Sequence, residues 1–216
     1  VLQDLKLAVK YYQIAADQGN LFAQYSLGVY YENGDCIDKN LILAVKYYQL
    51  AADQGYVKAQ NSLGRCYELG FGVEKDLKLA FKNFQLAAKQ GSARARTNLG
   101  NCYGNGLGVA KDLKQAFKYY QLAADKGQAI AQTNLGNCYE NGFGVEKDLT
   151  LAVKYYKLAA EQQDPRAEYK LGLCYENGCG VAKNLELAFL HYQLAADQKF
   201  SMAQRAVGLC YENGDG

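Results

Sequence analysis

Asparagine and arginine side chains recur at fixed spacings in the middle of the chain. An asparagine offers a hydrogen-bond donor and an acceptor together, so a row of them can pair with the backbone of an extended peptide. Arg65 and Arg94 can each hold a carboxylate through two charge-assisted hydrogen bonds, of about 1.5–3 kcal/mol apiece. Aromatic side chains extend the set at both ends. The candidate partner-binding residues are Phe22, Tyr25, Lys58, Asn61, Arg65, Arg94, Asn98, Asn101, Asn134, Asn137, Arg166 and Tyr169.

Cysteine is the second residue type that could support chemistry here. Five of the seven cysteines share one spacing, and they are Cys66, Cys102, Cys138, Cys174 and Cys210. Equivalent positions on helices that pack about 8–10 Å apart lie beyond the ~7 Å limit for a disulfide, and the cysteines form no close Cys-x-x-Cys cluster for a metal. We therefore expect buried free thiols. Cys36 and Cys179 fall in loops and are the candidates for exposed thiol chemistry.

Histidine and glutamate complete the residues that could act in catalysis. His191 stands at a position that tyrosine holds in other copies, which indicates an aromatic substitution and not a catalytic base. The recurring glutamates indicate structure at a helix end, because one residue type kept at the same position of five copies fits a structural role better than five separate active sites. They are Glu32, Glu68, Glu140, Glu176 and Glu212. No Cys–His or Ser–His–Asp set clusters, so the sequence predicts no enzyme activity, no metal site and no cofactor.

A tandem repeat carries all of these side chains. A Leu-Gly dipeptide, Val-Gly in the last copy, recurs every 36 residues without a slip. Its glycines are Gly28, Gly64, Gly100, Gly136, Gly172 and Gly208. A constant period of this length predicts an array of helical units that pack on their neighbours.

One unit reads as two helices joined by a tight turn. Ala59, Leu63 and Tyr67 fall at i, i+4 and i+8, which is one face of a first helix. Asp76 suits the N-cap of a second helix, and Gly91 suits its end. Glycine inside a helix costs about 0.8–1 kcal/mol relative to alanine, so the Leu-Gly glycines indicate close approach of another helix, with tyrosine rings filling the space beside them.

The period divides the chain into five whole repeats between two partial ones. The predicted boundaries are 1–19, 20–55, 56–91, 92–127, 128–163, 164–199 and 200–216. About twelve helices follow, with apolar surface exposed on the terminal ones. Because the chain begins at Val1 and stops inside a repeat at Gly216, we expect it to be a piece of a longer protein. We also expect a monomeric module that can associate end to end through its terminal repeats.

The overall composition argues against several classes of protein. Half of the residues are hydrophobic, and 24 basic against 22 acidic residues leave a net charge of +2. Charge alone therefore implies no nucleic-acid partner. No apolar run approaches the ~18 residues that a membrane span needs, so no membrane association is expected. Free thiols favour a reducing compartment, the cytoplasm.

The repeat motif resembles a known family. One copy carries Ala131-Gln132, Leu135-Gly136, Tyr139, Gly142, Gly144-Val145, Asp148, Ala152, Tyr156 and Ala159-Ala160. This pattern resembles the Sel1-like repeat, a relative of the tetratricopeptide repeat, and the period fits it better than the ~34 residues of the latter. The chain departs from the pattern at Cys36, Gly104, Gln163 and Lys199.

The resemblance implies an all-α fold, a right-handed superhelical solenoid of antiparallel helices whose first helices line the concave side. It also implies an adaptor or scaffold role in signalling and in the assembly of protein complexes. A role in the endoplasmic reticulum lumen, known for the family, keeps that compartment open beside the cytoplasm. Some bacterial members have disulfide-linked cysteines near the helix ends, whereas the repeated cysteines here lie two residues after the Leu-Gly glycine.

A helical wheel separates two groups of positions on the first helix, numbered as in repeat 56–91. Positions 59, 63, 66 and 67 barely change among the copies, as packing positions should. Positions 58, 61, 62, 65 and 69 change freely, and we call them the variable face. Position 58, for example, reads Phe22, Lys58, Arg94, Ile130, Arg166 and Met202. We predict that the variable face binds a protein or an extended peptide.

Two alternative functions stay open. Other helical repeats of similar length read one RNA base per unit, although this chain has no basic stripe. Strongly salt-dependent binding to oligonucleotides would favour that function. A cell-wall-related hydrolytic activity is claimed for some relatives of the repeat, and turnover by the purified chain would favour it.

Overall fold

A computed structural model describes residues 4–213, which form twelve α-helices and no strand. The first helices of the repeats are α2 (Leu21–Asn33), α4 (Val57–Leu69), α6 (Ala93–Asn105), α8 (Ala129–Asn141), α10 (Pro165–Asn177) and α12 (Ser201–Asn213). The second helices are α1 (Leu5–Asp17), α3 (Leu41–Asp53), α5 (Leu77–Lys89), α7 (Leu113–Ala124), α9 (Leu149–Ala160) and α11 (Leu185–Asp197). The chain divides into two compact units, Val1–Lys111 and Asp112–Gly216. The predicted chain ends, Val1 and Gly216, lie outside the described residues.

Every second helix begins at a side-chain cap, as predicted. The capping residues are Asp4, Asn40, Asp76, Asp112, Asp148 and Asn184. The Asp148 carboxylate, for example, accepts from the backbone N–H of Leu151 at 2.9 Å. Gly91 follows α5 with a φ of 89°, and Gln163 and Lys199 take the same left-handed conformation at φ 61° and 62°. The departures from glycine therefore leave the turn itself intact.

The core of each unit is built from the invariant positions of the repeat. In the first unit, Tyr48, Ala59 and Leu63 are buried together in one cluster. In the second unit, Tyr156 and Leu171 occupy the equivalent places. The alanines and leucines let the helices pack closely, while one large ring per repeat fills the space between them.

The Leu-Gly glycines lie where a helix approaches most closely. A Cβ atom built on Gly136 would be 2.5 Å from Tyr156 Cε1, and one on Gly172 would be 2.3 Å from Tyr192 Cε1. Both distances are far below van der Waals contact, so any side chain larger than glycine would displace the ring. The predicted close approach is confirmed at Gly28, Gly64, Gly136 and Gly172.

Candidate interaction surface

The repeated cysteines are buried, as predicted. Cys66, Cys102, Cys138, Cys174 and Cys210 all lie in the core, and none is in a disulfide among the described residues. Burial raises the pKa of Cys66 and Cys138 to about 11 and that of Cys102 and Cys174 to about 12. A thiol with so high a pKa is a poor nucleophile at neutral pH. Cys36 and Cys179 are partly exposed in the turns that follow α2 and α10.

His191 occupies the place of a tyrosine ring. It stacks on Tyr175 with centroids 5.4 Å apart and planes 4° apart, just as Tyr155 stacks on Tyr139 at 5.6 Å and 3°. Its Nδ1 also lies 2.7 Å from a carboxylate oxygen of buried Glu168. The aromatic substitution was predicted, but the contact between His191 and Glu168 was missed. Its signal was a glutamate at a position where other copies carry Gln24, Gln60 and Gln132.

The repeated glutamates join the two helices of a repeat. The hydroxyl of Tyr156 donates to the Glu140 carboxylate at 2.8 Å, and that of Tyr192 donates to Glu176 at 2.9 Å. Tyr48 donates to Glu32 in the same way. The predicted structural role is confirmed for Glu32, Glu140 and Glu176. Within the described part of the chain, no group of three or more His, Cys, Asp or Glu side chains could hold a metal ion.

Part of the variable face is covered by the next first helix. Asn61 is only 5% exposed, and its side-chain oxygen accepts from the Asn98 amide at 3.0 Å. Thr133, at the same repeat position, is buried and donates to the Asp164 carboxylate at 3.1 Å. Position 61 therefore makes contacts between repeats, whereas position 58 stays open to solvent in Lys58 and Arg94.

A first cavity, of about 370 Å³, lies on the variable face of the first unit. Its lining residues are Tyr25, Val57, Lys58, Asn61, Ser62, Ser92 and Arg94. Four of them are predicted binding residues: Tyr25, Lys58, Asn61 and Arg94. The lining contains two cations and no acid, and neither cation forms an ion pair within residues 4–213. The cavity is therefore positively charged and rich in hydrogen-bond donors.

A second cavity, of about 180 Å³, lies on the variable face of the second unit. Its lining residues are Thr133, Asn134, Asn137, Arg166, Tyr169, Lys170, Phe200 and Met202. They include the four predicted binding residues Asn134, Asn137, Arg166 and Tyr169. The Tyr169 and Phe200 rings meet at 5.6 Å, and Met202 is exposed beside them.

The cations of the second cavity are neutralised, unlike those of the first. Arg166 holds Asp164 with both its Nε and Nη2 atoms, at 3.1 and 2.8 Å. Burial raises the pKa of Asp164, but the hydrogen bonds and charge of Arg166 outweigh it and hold that pKa below its ordinary value. Lys170 binds Glu140 at 2.7 Å. What stays available in this cavity is therefore mainly aromatic and apolar surface.

Four predicted binding residues lie outside both cavities. Phe22 is exposed and meets the Tyr56 ring edge-on at 5.3 Å, and Arg65 is exposed on α4. Asn98 is engaged with Asn61, and Asn101 is partly buried. Three lining residues lie off the variable face and were not predicted: Val57, Ser92 and Phe200. Ser92 and Phe200 each directly precede a first helix, and a helical wheel includes only residues within the helix.

No helix among the described residues is long and apolar enough to cross a membrane. The Sel1 repeat profile matches the whole chain in seven segments, residues 1–20, 21–56, 57–92, 93–128, 129–164, 165–200 and 201–216. A comparison with curated proteins finds no match.

Solved structures of similar proteins share the fold. A Sel1 repeat protein from Oxalobacter formigenes is 34% identical, with a TM-score of 0.88 over 97% of this chain and 86% of that one. A protective antigen of uropathogenic Escherichia coli with an SLR fold is 33% identical, with a TM-score of 0.85 over 98% of this chain. The present chain spans 45% of the length of that antigen. An immunity protein from Pseudomonas aeruginosa, 22% identical with a TM-score of 0.62, shares the fold over 93% of this chain and 76% of that one. The predicted all-α repeat solenoid is confirmed.

Proposed function

This chain belongs to the Sel1 repeat family, and we propose that it is an interaction module that binds a partner protein or an extended peptide on the variable face. Sel1 repeat solenoids generally mediate protein–protein interactions, and the family is typically non-enzymatic. The division between invariant packing positions and a variable face supports this function, because packing constrains only the former.

The uncompensated charge of the first cavity is the observation that carries the proposal. Lys58 and Arg94 stand at one cavity without an acidic neighbour in its lining. Elsewhere on the same face, Arg166 and Lys170 are each matched by a carboxylate of the chain itself. A ligand carboxylate would supply the missing counter-charge, and Ser62 and the Tyr25 hydroxyl could hydrogen-bond to its backbone. The first cavity thus favours an acidic side chain or a C-terminal carboxylate.

The second cavity favours a different side chain. Tyr169, Phe200 and Met202 give it an apolar wall, and flexible methionine with aromatic rings adapts well to a bound apolar residue. Its polar groups are largely engaged within the protein, since the Asn137 side-chain oxygen lies 2.8 Å from the Tyr156 hydroxyl and Lys170 binds Glu140. An apolar or aromatic side chain of the partner is the expected occupant.

Peptide display on the purified 216-residue chain tests the proposal. We expect selected peptides to be enriched in aspartate and glutamate, and calorimetry to show that the double variant Lys58→Ala/Arg94→Ala binds them at least tenfold more weakly. The matched control is Lys78→Ala/Lys82→Ala, which removes two exposed charges from α5, outside the cavity lining. Both variants lower the net charge equally, so long-range electrostatics cannot explain a difference between them.

Two outcomes would contradict the proposal. Equal weakening by both double variants would show that net charge alone attracts the peptides. Tight binding of single-stranded RNA with a steep salt dependence, in the absence of selected peptides, would favour the RNA-binding alternative instead.

A further inference from the structure

The end of α10 carries two cysteines, one in the last turn of the helix and one just after it. Cys174 is buried in the helix, and Cys179 is partly exposed in the turn that follows. In the sequence, the repeat 164–199 is the one copy with cysteine at both positions. The equivalent pairs in the three preceding repeats are Cys66 with Phe71, Cys102 with Leu107, and Cys138 with Phe143.

The backbone at this helix end brings the two cysteines together. Gly178 follows α10 in the left-handed conformation, with a φ of 70°. The N–H of Cys179 donates to the carbonyl oxygen of Cys174 at 2.9 Å, which is the bond that closes a Schellman motif. The side chains of the two residues joined by this bond frequently touch. The motif therefore favours contact between the two thiols.

The same helix end recurs in other repeats with an apolar residue in place of the second cysteine. The Phe71 N–H donates to the Cys66 carbonyl at 3.0 Å, for example. A hydrogen-bonded residue pair in a sheet has its Cα atoms about 5.5 Å apart, inside the roughly 4.4–6.8 Å that disulfides span. A backbone bond of 2.9 Å therefore holds Cys174 and Cys179 within reach of a disulfide.

Contacts with other helices hold this turn in place. A Cβ atom built on Gly180 would be 2.2 Å from the Leu149 carbonyl oxygen, so the turn lies directly on the start of α9. Asn184, the cap of α11, donates its N–H to the Tyr175 carbonyl oxygen at 2.9 Å. The segment that carries both cysteines is therefore fixed, and no helix has to unfold for their sulfur atoms to meet.

The two thiols differ in accessibility and in acidity. Burial, followed by the charges of Glu140 and Cys179, raises the pKa of Cys174 to about 12. The effect of Cys179 on this pKa agrees with its place next to Cys174. At neutral pH the buried thiol stays protonated, whereas the partly exposed one is open to small molecules in solution. Cys179 is thus the thiol that reacts first.

We propose that Cys174 and Cys179 form a redox-reactive pair, which hydrogen peroxide converts into an intramolecular disulfide. In the first step the Cys179 thiolate attacks one peroxide oxygen, and the O–O bond breaks. The sulfur is oxidised to a sulfenic acid. The hydroxide that leaves takes up the proton released by the thiol and becomes water.

In the second step Cys174 loses its proton, and its sulfur attacks the Cys179 sulfur. The S–S bond forms, the S–O bond breaks, and the leaving hydroxide combines with that proton as a second water. Two thiols and one peroxide have then become one disulfide and two waters. Because the pKa of Cys174 is high, this step is the slower one.

The disulfide would enclose the residues that attach α10 to α11. Tyr175 stacks on His191 with centroids 5.4 Å apart, and Glu176 accepts from the Tyr192 hydroxyl at 2.9 Å. Oxidation therefore fixes the helix end on which both contacts depend. Since Cys179 is partly exposed, a dithiol reductant can attack its sulfur and release the pair again.

Peptide mapping of the 216-residue chain tests the inference. The chain is treated with hydrogen peroxide, its remaining thiols are blocked with N-ethylmaleimide in acidic urea, and it is digested with trypsin. Cleavage after Lys170 and Lys183 leaves both cysteines in one peptide, residues 171–183. That peptide should carry no maleimide and be lighter by two hydrogen atoms than its reduced form. Dithiothreitol should restore both thiols.

Two variants and one native thiol serve as controls, and both variants should keep the helical circular dichroism of wild type. Phe71→Cys places a second cysteine opposite Cys66 and should form the same bond within one tryptic peptide. Cys179→Ser leaves Cys174 buried without a second thiol, so Cys174 should stay reduced. Cys36 is partly exposed in the turn after α2, and tyrosine stands in its repeat at the position of Cys174. It should be oxidised without forming an internal bond.

Three results would overturn the inference. The first is a Cys174 that is alkylated while Cys179 reaches the sulfinic acid, and the second is a disulfide that links two chains, seen as a dimer on a non-reducing gel. The third is a Phe71→Cys chain that leaves both thiols of its new pair free, because the helix-end motif would then not bring them together. Lys58→Ala/Arg94→Ala should oxidise like wild type, which separates this inference from the peptide-binding proposal.

Discussion

At the scale of single residues, the repeat requires a residue without a Cβ atom at the Leu-Gly position. A Cβ atom on residue 136 would lie only 2.5 Å from the Tyr156 ring. That ring is fully buried, so moving it would disturb the core around it. Helix propensity alone would favour alanine at this place by about 0.8–1 kcal/mol. Overpacking of a buried ring costs about 1–3 kcal/mol, so packing decides which residue is tolerated.

Gly136→Ala should therefore destabilise the chain, by about 1 kcal/mol or more, through the displaced Tyr156 ring. Gly208→Ala is the matched control, with the same residue at the same repeat position but no neighbour within 4 Å. It should raise the free energy of unfolding by up to about 1 kcal/mol. Urea denaturation at low protein concentration measures both. If both substitutions stabilised the chain, the ring contact would not be what selects glycine.

At the scale of helices, a tyrosine–glutamate hydrogen bond ties the first helix of a repeat to the second. Two repeats lack one half of this pair. Phe84 has no hydroxyl to donate to Glu68, and Gly104 stands where another copy has glutamate. Burial raises the pKa of Glu68, and the charges of Arg65 and Lys75 offset only part of that effect. A half-buried carboxylate without its donor is therefore a weak point between α4 and α5.

Phe84→Tyr should restore the missing bond and stabilise the chain by about 1 kcal/mol at pH 7, because the new hydroxyl donates to an ionised carboxylate. The raised pKa of Glu68 means that its ionisation lowers stability as pH rises. The stabilisation by Phe84→Tyr should be larger at pH 7, where the new hydroxyl donates to a charged carboxylate, than at pH 3, where the carboxyl is protonated. Tyr192→Phe is the reciprocal control and should lose stability by orphaning Glu176. Urea denaturation at the two pH values tests both, and an equal gain at pH 3 and pH 7 would contradict the charge-assisted bond.

The sequence predicts what is local to one repeat and misses what lies between repeats. The caps at Asp148 and its equivalents, and the glycine–ring contacts, follow from spacing because their partners are fixed by the 36-residue period. Asn61 was assigned to an open face, although Asn98 of the next first helix covers it. A helical wheel represents one helix alone, so it does not distinguish a position exposed to solvent from one covered by the adjacent repeat. The contact between the recurring Glu140 and Lys170, which stands at a variable position, therefore leaves no period to read.

At the scale of the whole molecule, the effect of one buried side chain on stability occurs again in each repeat. Cys66, Cys102, Cys138 and Cys174 are buried at one repeat position, so any pH that ionises a thiol acts on all of them. Their pKa values are raised to about 11 or about 12, above the ordinary value of 9.0. The unfolded chain therefore loses these protons at a lower pH than the folded one does. By linkage, the stabilising effect is fully present below about pH 9 and is lost as pH rises towards 12.

We therefore expect the free energy of unfolding to hold steady from neutral pH to about pH 9 and then to fall steeply. A variant with Cys102→Ala and Cys174→Ala removes two of the titrating thiols and leaves every other ionisable side chain in place. Its fall above pH 9 should be shallower, whatever stability the lost sulfur atoms cost at neutral pH. Urea denaturation at intervals between pH 7 and 11, followed by circular dichroism, gives both slopes. Parallel slopes would mean that the buried thiols do not control alkaline unfolding.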